Sequence, residues 1–395
     1  MDKGNLIYLD NNATTPCDPR VVEKMLPYLT EIYGNPSNGY HQLGRQAAKA
    51  IEIAREQVAN LIGAQPYEVY FTSGATESNN LAIFGVVRSL ERKDRNRIVT
   101  SLIEHKAVLL PCKALSDETF EVIFVPVTPQ GEIDLQTAFN SIDKSTALVS
   151  IHLANNEIGT IQPIREITEH AHKLGVLVHT DAAQAVGKIN VNVNDLGVDL
   201  LSISAHKLYG PKGIGALYIR GGIKAIPIKP LFFGGGQEKG IRPGTSNVPS
   251  IVGFGEAAKL CAEDLFGEYS LIQSMRYTFE QGLASRIPGL EINAKNANRL
   301  PNTSSITFPD VEADALLLNL SEVMLGTGSA CNSGAIEPSH VLQAIGVSRE
   351  AAQKTIRTSF GRFNTEKQTQ IAIDAITRAY FSVKQFSSRA ITLKK

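Results

Sequence analysis

Between residues 69 and 219 short apolar, β-branched runs alternate mostly with helical stretches, and a Gly- and Pro-rich turn separates the last two. The runs span 69–72, 98–102, 122–127, 147–152, 176–180, 200–204 and 216–219. Apolar runs of this length read as strands buried on both faces, and strands separated by a helical length pair in parallel. The repetition confines the chain to an α/β fold whose mostly parallel sheet gathers its loops at one rim. Open sheets of this kind bind ligands outside the carboxyl ends of their strands. Residues that directly follow a run are therefore the first candidates for function.

The flanks read differently. A strand-like run at 6–9 leads into Asp10, Asn11 and Asn12, and a Gly/Pro loop occupies 34–37. From Leu43 onward Ala47, Ala50, Ile51, Ala54, Val58 and Leu61 form one apolar helical face. A helical stretch begins near Pro249, 302–308 is strand-like and 313–320 is helical. Thr365 and Gln368 make a capping box that opens a helix with Ile371, Ala375, Ile376 and Ala379 on its apolar face.

Charge and cysteine usage exclude several classes of function. Lys+Arg and Asp+Glu are equal at 39 each among 395 residues, so no basic field selects nucleic acid or an anionic membrane. The four cysteines, Cys17, Cys112, Cys261 and Cys331, form no C-x-x-C pair, which argues against a disulfide framework or a metal site and for a reducing, cytoplasmic setting. The amino-terminal segment has no apolar stretch of signal-peptide type, and no apolar run approaches a membrane span.

At the expected rim, Phe71-Thr-Ser-Gly-Ala-Thr-Glu-Ser-Asn-Asn80 places a small-residue turn and a helix start after a strand, a pattern that cradles an anion such as phosphate. It is neither a Walker loop nor G-x-G-x-x-G. Glu104-His105, Asn155-Asn156, and Asp181 with Gln184 follow three further runs, and Lys207 stands beside Ser204 and His206 after the run 200–204. Singly, each has an ordinary reading as a helix cap, a loop charge or a backbone partner. Together, an amine able to form a Schiff base and a carboxylate 26 residues before it, about one crossover unit, suit pyridoxal phosphate.

Two residues of the carboxyl-terminal region add a nucleophile and an anchor. Cys331 sits in Leu325-Gly-Thr-Gly-Ser-Ala-Cys-Asn-Ser-Gly334, where small neighbours leave the thiol accessible. Cys112, flanked by a proline and a charged residue, and Cys261, in a helical Ala-rich stretch, read as packing residues, and Cys17 lies in a turn. Arg357, in Ile356-Arg-Thr-Ser-Phe-Gly361, offers a guanidinium fork for a carboxylate.

The segments TSGATESNN, EHKAV, NNEIGT, HTDAAQ, SAHKLYGPKGIGALYIR and RPGT, in that order, resemble the pyridoxal-phosphate cysteine desulfurases of the NifS/IscS type, fold-type I enzymes related to aspartate aminotransferase. GSAC followed by Glu337-Pro338-Ser339 is similar to the long-loop group. The resemblance implies a large domain over 15–260 and a smaller α+β domain made of 1–14 plus 261–395. It implies that Lys207 carries the cofactor, that Asp181 pairs with its pyridine nitrogen and that His105 stacks on the ring and moves protons. Asn155 and Gln184 would bond the phenolate oxygen, and Ala75, Thr76, Ser204 and His206 the phosphate. Thr245 would reach the phosphate of a second subunit in a homodimer.

By the same resemblance Arg357 holds the carboxylate of L-cysteine, Lys207 moves the Cα proton, and Cys331 takes the sulfur as a persulfide for an acceptor protein such as an iron-sulfur scaffold, leaving L-alanine. A selenocysteine lyase, a cystine or cysteine C–S lyase and an aminotransferase are alternatives on the same fold. The chain departs from the pattern at Gly326-Thr327, where two serines are more usual, at Asn332, and in ending at VKQFSSRAITLKK without a longer scaffold-binding tail.

Overall fold

The computed structural model describes residues 6–90, 95–327 and 338–392. Cys331 lies outside the described residues, as does Asn332. In chain order the strands are β1 (Ile7–Tyr8), β2 (Val69–Thr72), β3 (Arg97–Ser101), β4 (Glu121–Val125), β5 (Thr146–Ser150), β6 (Leu177–Asp181), β7 (Leu200–Ser204), β8 (Gly215–Ile219), β9 (Glu291–Ile292), β10 (Thr303–Thr307), β11 (Val323–Met324), β12 (Gly326–Thr327) and β13 (Thr355–Ser359). The seven sequence runs all become strands, displaced by no more than two residues at most ends.

Those strands form a seven-stranded sheet of order β2-β8-β7-β6-β5-β3-β4. Strands β7, β6, β5, β3 and β4 are parallel neighbours, while β8 runs antiparallel to both β2 and β7. Every residue of β5, β7 and β8 is buried, as a sheet covered on both faces requires. Helix Gln42–Ile62 lays Ala47, Ala50, Ile51, Ala54 and Val58 on one face of this core; Ile62 completes the stripe, and Leu61 is only half-buried.

A second, antiparallel sheet of order β12-β13-β10-β9 sits on its own apolar core, and β1 pairs in parallel with β11. Helix Val248–Ala284 serves both cores: its first part packs Ile251, Phe254 and Cys261 against the large sheet, and its second packs Met275, Phe279 and Leu283 against the small one. Between the two, Asp264 leaves helical geometry at φ −137° and ψ 28°. The capping box of the last helix, Glu366–Thr392, is present: Gln368 N donates to Thr365 Oγ1 at 3.2 Å, and Thr365 N donates to Gln368 Oε1 at 3.3 Å. Ile371 is exposed on that helix, contrary to the sequence reading, because Ala372, Ile373, Ile376 and Tyr380 face the core instead.

The strap that follows β1 joins the two sheets. Asp10 pairs with Ser359 at the end of β13, and two residues later Asn12 reaches the rim of the large sheet. Among the described residues no helix is long and apolar enough to cross a membrane, and no cluster of His, Cys, Asp or Glu could hold a metal.

Candidate active site

Parallel strands deliver their carboxyl ends to one rim, and five of the predicted segments meet there. Lys207 follows β7 in a single helical turn, Ala205–Lys207. Its ammonium donates to the carbonyls of Asn12 and Ala13, at 2.5 and 2.7 Å. Desolvation pulls its pKa down to about 8; Arg357 pushes the same way, against the pull of Asp181 and Asp10. An amine in that range is partly neutral near neutral pH and can act as base or nucleophile.

Asp181, the last residue of the neighbouring strand β6, is buried. Its Oδ2 accepts from Asn79 Nδ2 at 2.6 Å and its Oδ1 from Ala183 N at 2.9 Å. Asn79 is fully buried on helix Ala75–Val87, and its Oδ1 has no partner. The carboxylate is thus held by an amide and a backbone N–H, neither of which neutralises it.

Ala75 and Thr76 open helix Ala75–Val87, whose first N–H groups have no acceptor within the helix. Gly74 precedes them at φ 150°, and a Cβ there would lie 3.8 Å from Ser204 Oγ, in otherwise open space. His206 shares Nδ1 with Thr14 Oγ1 at 3.0 Å. Partial burial, with Lys207, Lys212 and Lys188 nearby, lowers its pKa to about 4, so it is a neutral ring. Helix start, Ser204 hydroxyl and open cradle fit an anionic group.

His105 caps helix Lys106–Glu118, its Nδ1 accepting from Ala107 N at 3.0 Å. That bond leaves Nε2 as the proton-bearing nitrogen of the neutral ring. Desolvation lowers its pKa, opposed by Asp181, although the ring keeps an exposed side. Beneath it Glu104 accepts from the His152 backbone N at 3.0 Å and lies 3.2 Å from His152 Nδ1. Burial resists charge on His152, yet Glu104 outweighs it and raises the pKa.

Asn155 is fully buried and largely committed to structure. Its Oδ1 accepts from Glu157 N and Ile158 N, and its Nδ2 donates to Ile103 O at 3.0 Å, so one N–H remains for a ligand. Gln184 donates from Nε2 to Asn12 O at 2.9 Å. Thr245 stands exposed after Gly244. Its loop is tied down by Glu238, which takes two bonds from Arg55 and one from Phe71 N, and by Arg242 on Glu77.

Arg357 reaches the crevice from the middle of β13. Its Nη2 donates to Asp10 Oδ1 at 2.7 Å and its Nη1 to Asn156 O at 3.3 Å, while the buried Nε has no partner. The sequence reading offered a fork for a carboxylate; the structure gives a fork whose two terminal nitrogens already donate, to Asp10 and to Asn156 O. The departure at Gly326 has its reason here. Gly326 lies opposite Arg357, and a Cβ at that position would come 2.7 Å from Asp10 Oδ1 and 3.0 Å from Arg357 Nη2.

Sequence reasoning left Asn12 and Asn79 without roles. Asn12 is the hub of the site: its carbonyl receives Lys207 and Gln184, and its carboxamide bonds Thr303, Asn156, Asn302 and Lys188. The runs Asn11-Asn12 and Asn79-Asn80 were visible, but paired asparagines signal turns and caps as readily as site partners.

An amine and a carboxylate at the ends of adjacent parallel strands, beside a helix start that fits an anion, match the class the comparisons show, a pyridoxal-phosphate-dependent enzyme of fold type I. The chain belongs to the class-V aminotransferase family, whose model matches residues 7–371. It is 47% identical over 392 residues to the mitochondrial cysteine desulfurase of Arthroderma benhamiae, covering 98% of this chain and 77% of that one. To the cysteine desulfurase IscS of Rickettsia typhi it is 43% identical over 381 residues, covering 96% and 92%. Among solved structures, a NifS-like protein superposes with a TM-score of 0.87 at 41% identity, covering 94% of this chain and 98% of that one. The protein SspA in complex with cysteine superposes at 0.80 and 39% identity, covering 91% and 100%.

Proposed function

We propose that this chain is a cysteine desulfurase that takes sulfur from L-cysteine onto Cys331, releases L-alanine and passes the sulfur to an acceptor protein such as an iron-sulfur scaffold. The observation that carries the reading is the meeting around one crevice of Asp181 and Lys207, from the consecutive strands β6 and β7, with Arg357 from the distant β13. Lys207 would hold the cofactor aldehyde, Asp181 its pyridine nitrogen, and Ala75, Thr76, Ser204 and His206 its phosphate, with His105, Asn155 and Gln184 around the ring. When bound, pyridoxal phosphate supplies an electron sink for the pair of electrons left at the substrate Cα.

The residues of the chain then divide the work. Arg357 orients the amino acid by its carboxylate, using guanidinium N–H groups beyond those donated to Asp10 and Asn156. Lys207, whose amine is partly neutral, takes the Cα proton. Asp181 is oriented by Asn79 Nδ2 and Ala183 N, which donate to its two oxygens. Cys331, as thiolate, attacks the substrate sulfur: an S–S bond forms, the Cβ–S bond breaks with its electrons going to carbon, and a proton returned to Cβ completes the alanine side chain. His105, neutral with Nε2 free, is placed to move one of these protons.

We also assign residues 15–260 to a cofactor-binding domain and 1–14 plus 261–395 to a smaller one. A homodimer would give Thr245 its role at the partner's phosphate. The described cysteines Cys17, Cys112 and Cys261 are all free thiols, which fits a reducing setting such as the cytoplasm. Product analysis tests the reading: purified enzyme with L-cysteine and a thiol reductant should yield alanine and sulfide in equal amounts, with both lost in Cys331→Ser. Pyruvate with ammonia would instead mean β-elimination and would remove Cys331 from the reaction.

A further inference from the structure

The turn after β6 brings a second lysine to the rim. Lys188 Nζ donates to Gln184 Oε1 at 2.5 Å and to Asn12 Oδ1 at 3.0 Å. Both acceptors are neutral carboxamide oxygens. Desolvation, with Lys207 and Arg357 adding like charge, holds the Lys188 pKa well below that of an ordinary lysine. A lysine in so unfavourable a setting, with no carboxylate among its bonded partners, is not explained by charge pairing.

The bonding pattern explains it. A primary carboxamide presents oxygen on one side and nitrogen on the other, and the two can exchange by a flip of the group. Lysine N–H groups donate, so Gln184 must turn Oε1 toward Lys188. Its Nε2 is then forced to the opposite side, where it donates to the Asn12 carbonyl, the acceptor that also receives Lys207. Lys188 fixes Asn12 in the same manner: with Oδ1 taken by Lys188 and Asn302, Nδ2 is left for Asn156 O and Thr303 Oγ1.

The backbone is shaped to keep Lys188 in place. Gly187 has φ 78°, and a Cβ there would lie 2.8 Å from the Cβ of Leu208, the residue after Lys207. Only glycine lets this turn pack directly on the lysine loop. Lys188 also lines a cavity of about 20 Å³ with Asn11, Glu268 and Asn302 at the junction of the two sheets, room for about one water.

We infer that Lys188 is a positioning residue, which sets the amide orientation of Gln184 and thereby the hydrogen-bond donor that this side of the crevice offers the cofactor. The inference rests on the cofactor reading above, and one experiment separates the two. Equilibrium dialysis measures pyridoxal phosphate binding by the full-length protein, by Lys188→Met, by Gln184→Leu and by the double variant. Each single change should weaken binding about tenfold, and the double change also about tenfold rather than a hundredfold, because both remove one interaction. Lys188→Gln, which keeps an N–H donor, should recover most of the affinity.

Wild-type affinity in Lys188→Met, or a hundredfold loss in the double variant, would overturn the positioning role while leaving the cofactor reading intact. Failure of the unaltered protein to bind pyridoxal phosphate would overturn both. Should Lys188→Met fail to fold, Lys188→Ala enters the same cycle, and additivity there is equally decisive against the proposal.

Discussion

The two sides of the crevice hold their charged groups by opposite means. On the rim of the parallel sheet, Asp181 and Lys207 are met by amides, carbonyls and backbone N–H groups. On the antiparallel sheet, Arg357 is met by a carboxylate, Asp10. Neutral partners orient a group without pairing its charge; desolvation, with Arg357 adding like charge, brings the Lys207 amine to a pKa of about 8, where it can exchange protons. A carboxylate partner holds the guanidinium in place through an ion pair, which suits an anchor. On the proposed reading, the chemistry belongs to the rim and the grip to the small sheet.

That division can be broken by substitution, and the largest effect belongs to the rim. Lys207→Ala should lower turnover of L-cysteine by about a thousandfold or more, in the range set by a lost general base, while cysteine still binds; single-turnover kinetics would show it. A rate near wild type would move the chemistry elsewhere.

Glu157 supplies a control from the rim itself. It is buried, its Oε2 accepting from Ser339 Oγ at 2.5 Å, and burial raises its pKa to about 7 despite that bond and the charges of Arg357 and Lys106. Its folded pKa lies above the unfolded one, so its contribution to stability is complete below about pH 4.5 and is lost as pH rises through 7. Glu157→Gln cannot ionise and should lack this loss. Urea unfolding should show it gaining on wild type by up to about 3 kcal/mol between pH 4.5 and 8. A constant difference across that range would mean that Glu157 does not change its charge there.

The grip gives smaller effects, concentrated in KM. Arg357→Lys, which replaces a fork by a point charge, should raise KM for L-cysteine about 10- to 100-fold and change kcat much less. Asp10→Asn removes the competing carboxylate and should lower KM a few-fold, on the order of the weak coupling of a partly exposed ion pair. If Asp10→Asn raised KM as much as Arg357→Lys does, Asp10 would be orienting the fork rather than sharing it.

Much of this could be read from the chain. The seven apolar runs became the seven strands of the large sheet, because strands buried on both faces leave a continuous apolar trace. Lys207, Asp181 and the helix start at Ala75 were placed at the rim by the same pattern, since parallel strands carry their next residues to one side. Ile371 misled because an apolar residue at the edge of a helical stripe can face either way, and neighbouring Ala372 and Ile373 filled the core.

What the sequence by itself determined is the class of sheet, the residues at its rim and the family whose motifs they match, all of which depend on local pattern and order. The tertiary structure decided which groups meet: Asp10 on Arg357 across 347 positions, and Asn12 under Lys207 across 195. No periodicity records such pairs. They arise where two separate cores dock along a strap, and hydrogen-bond donors and acceptors buried at that junction must find partners whatever their distance in sequence.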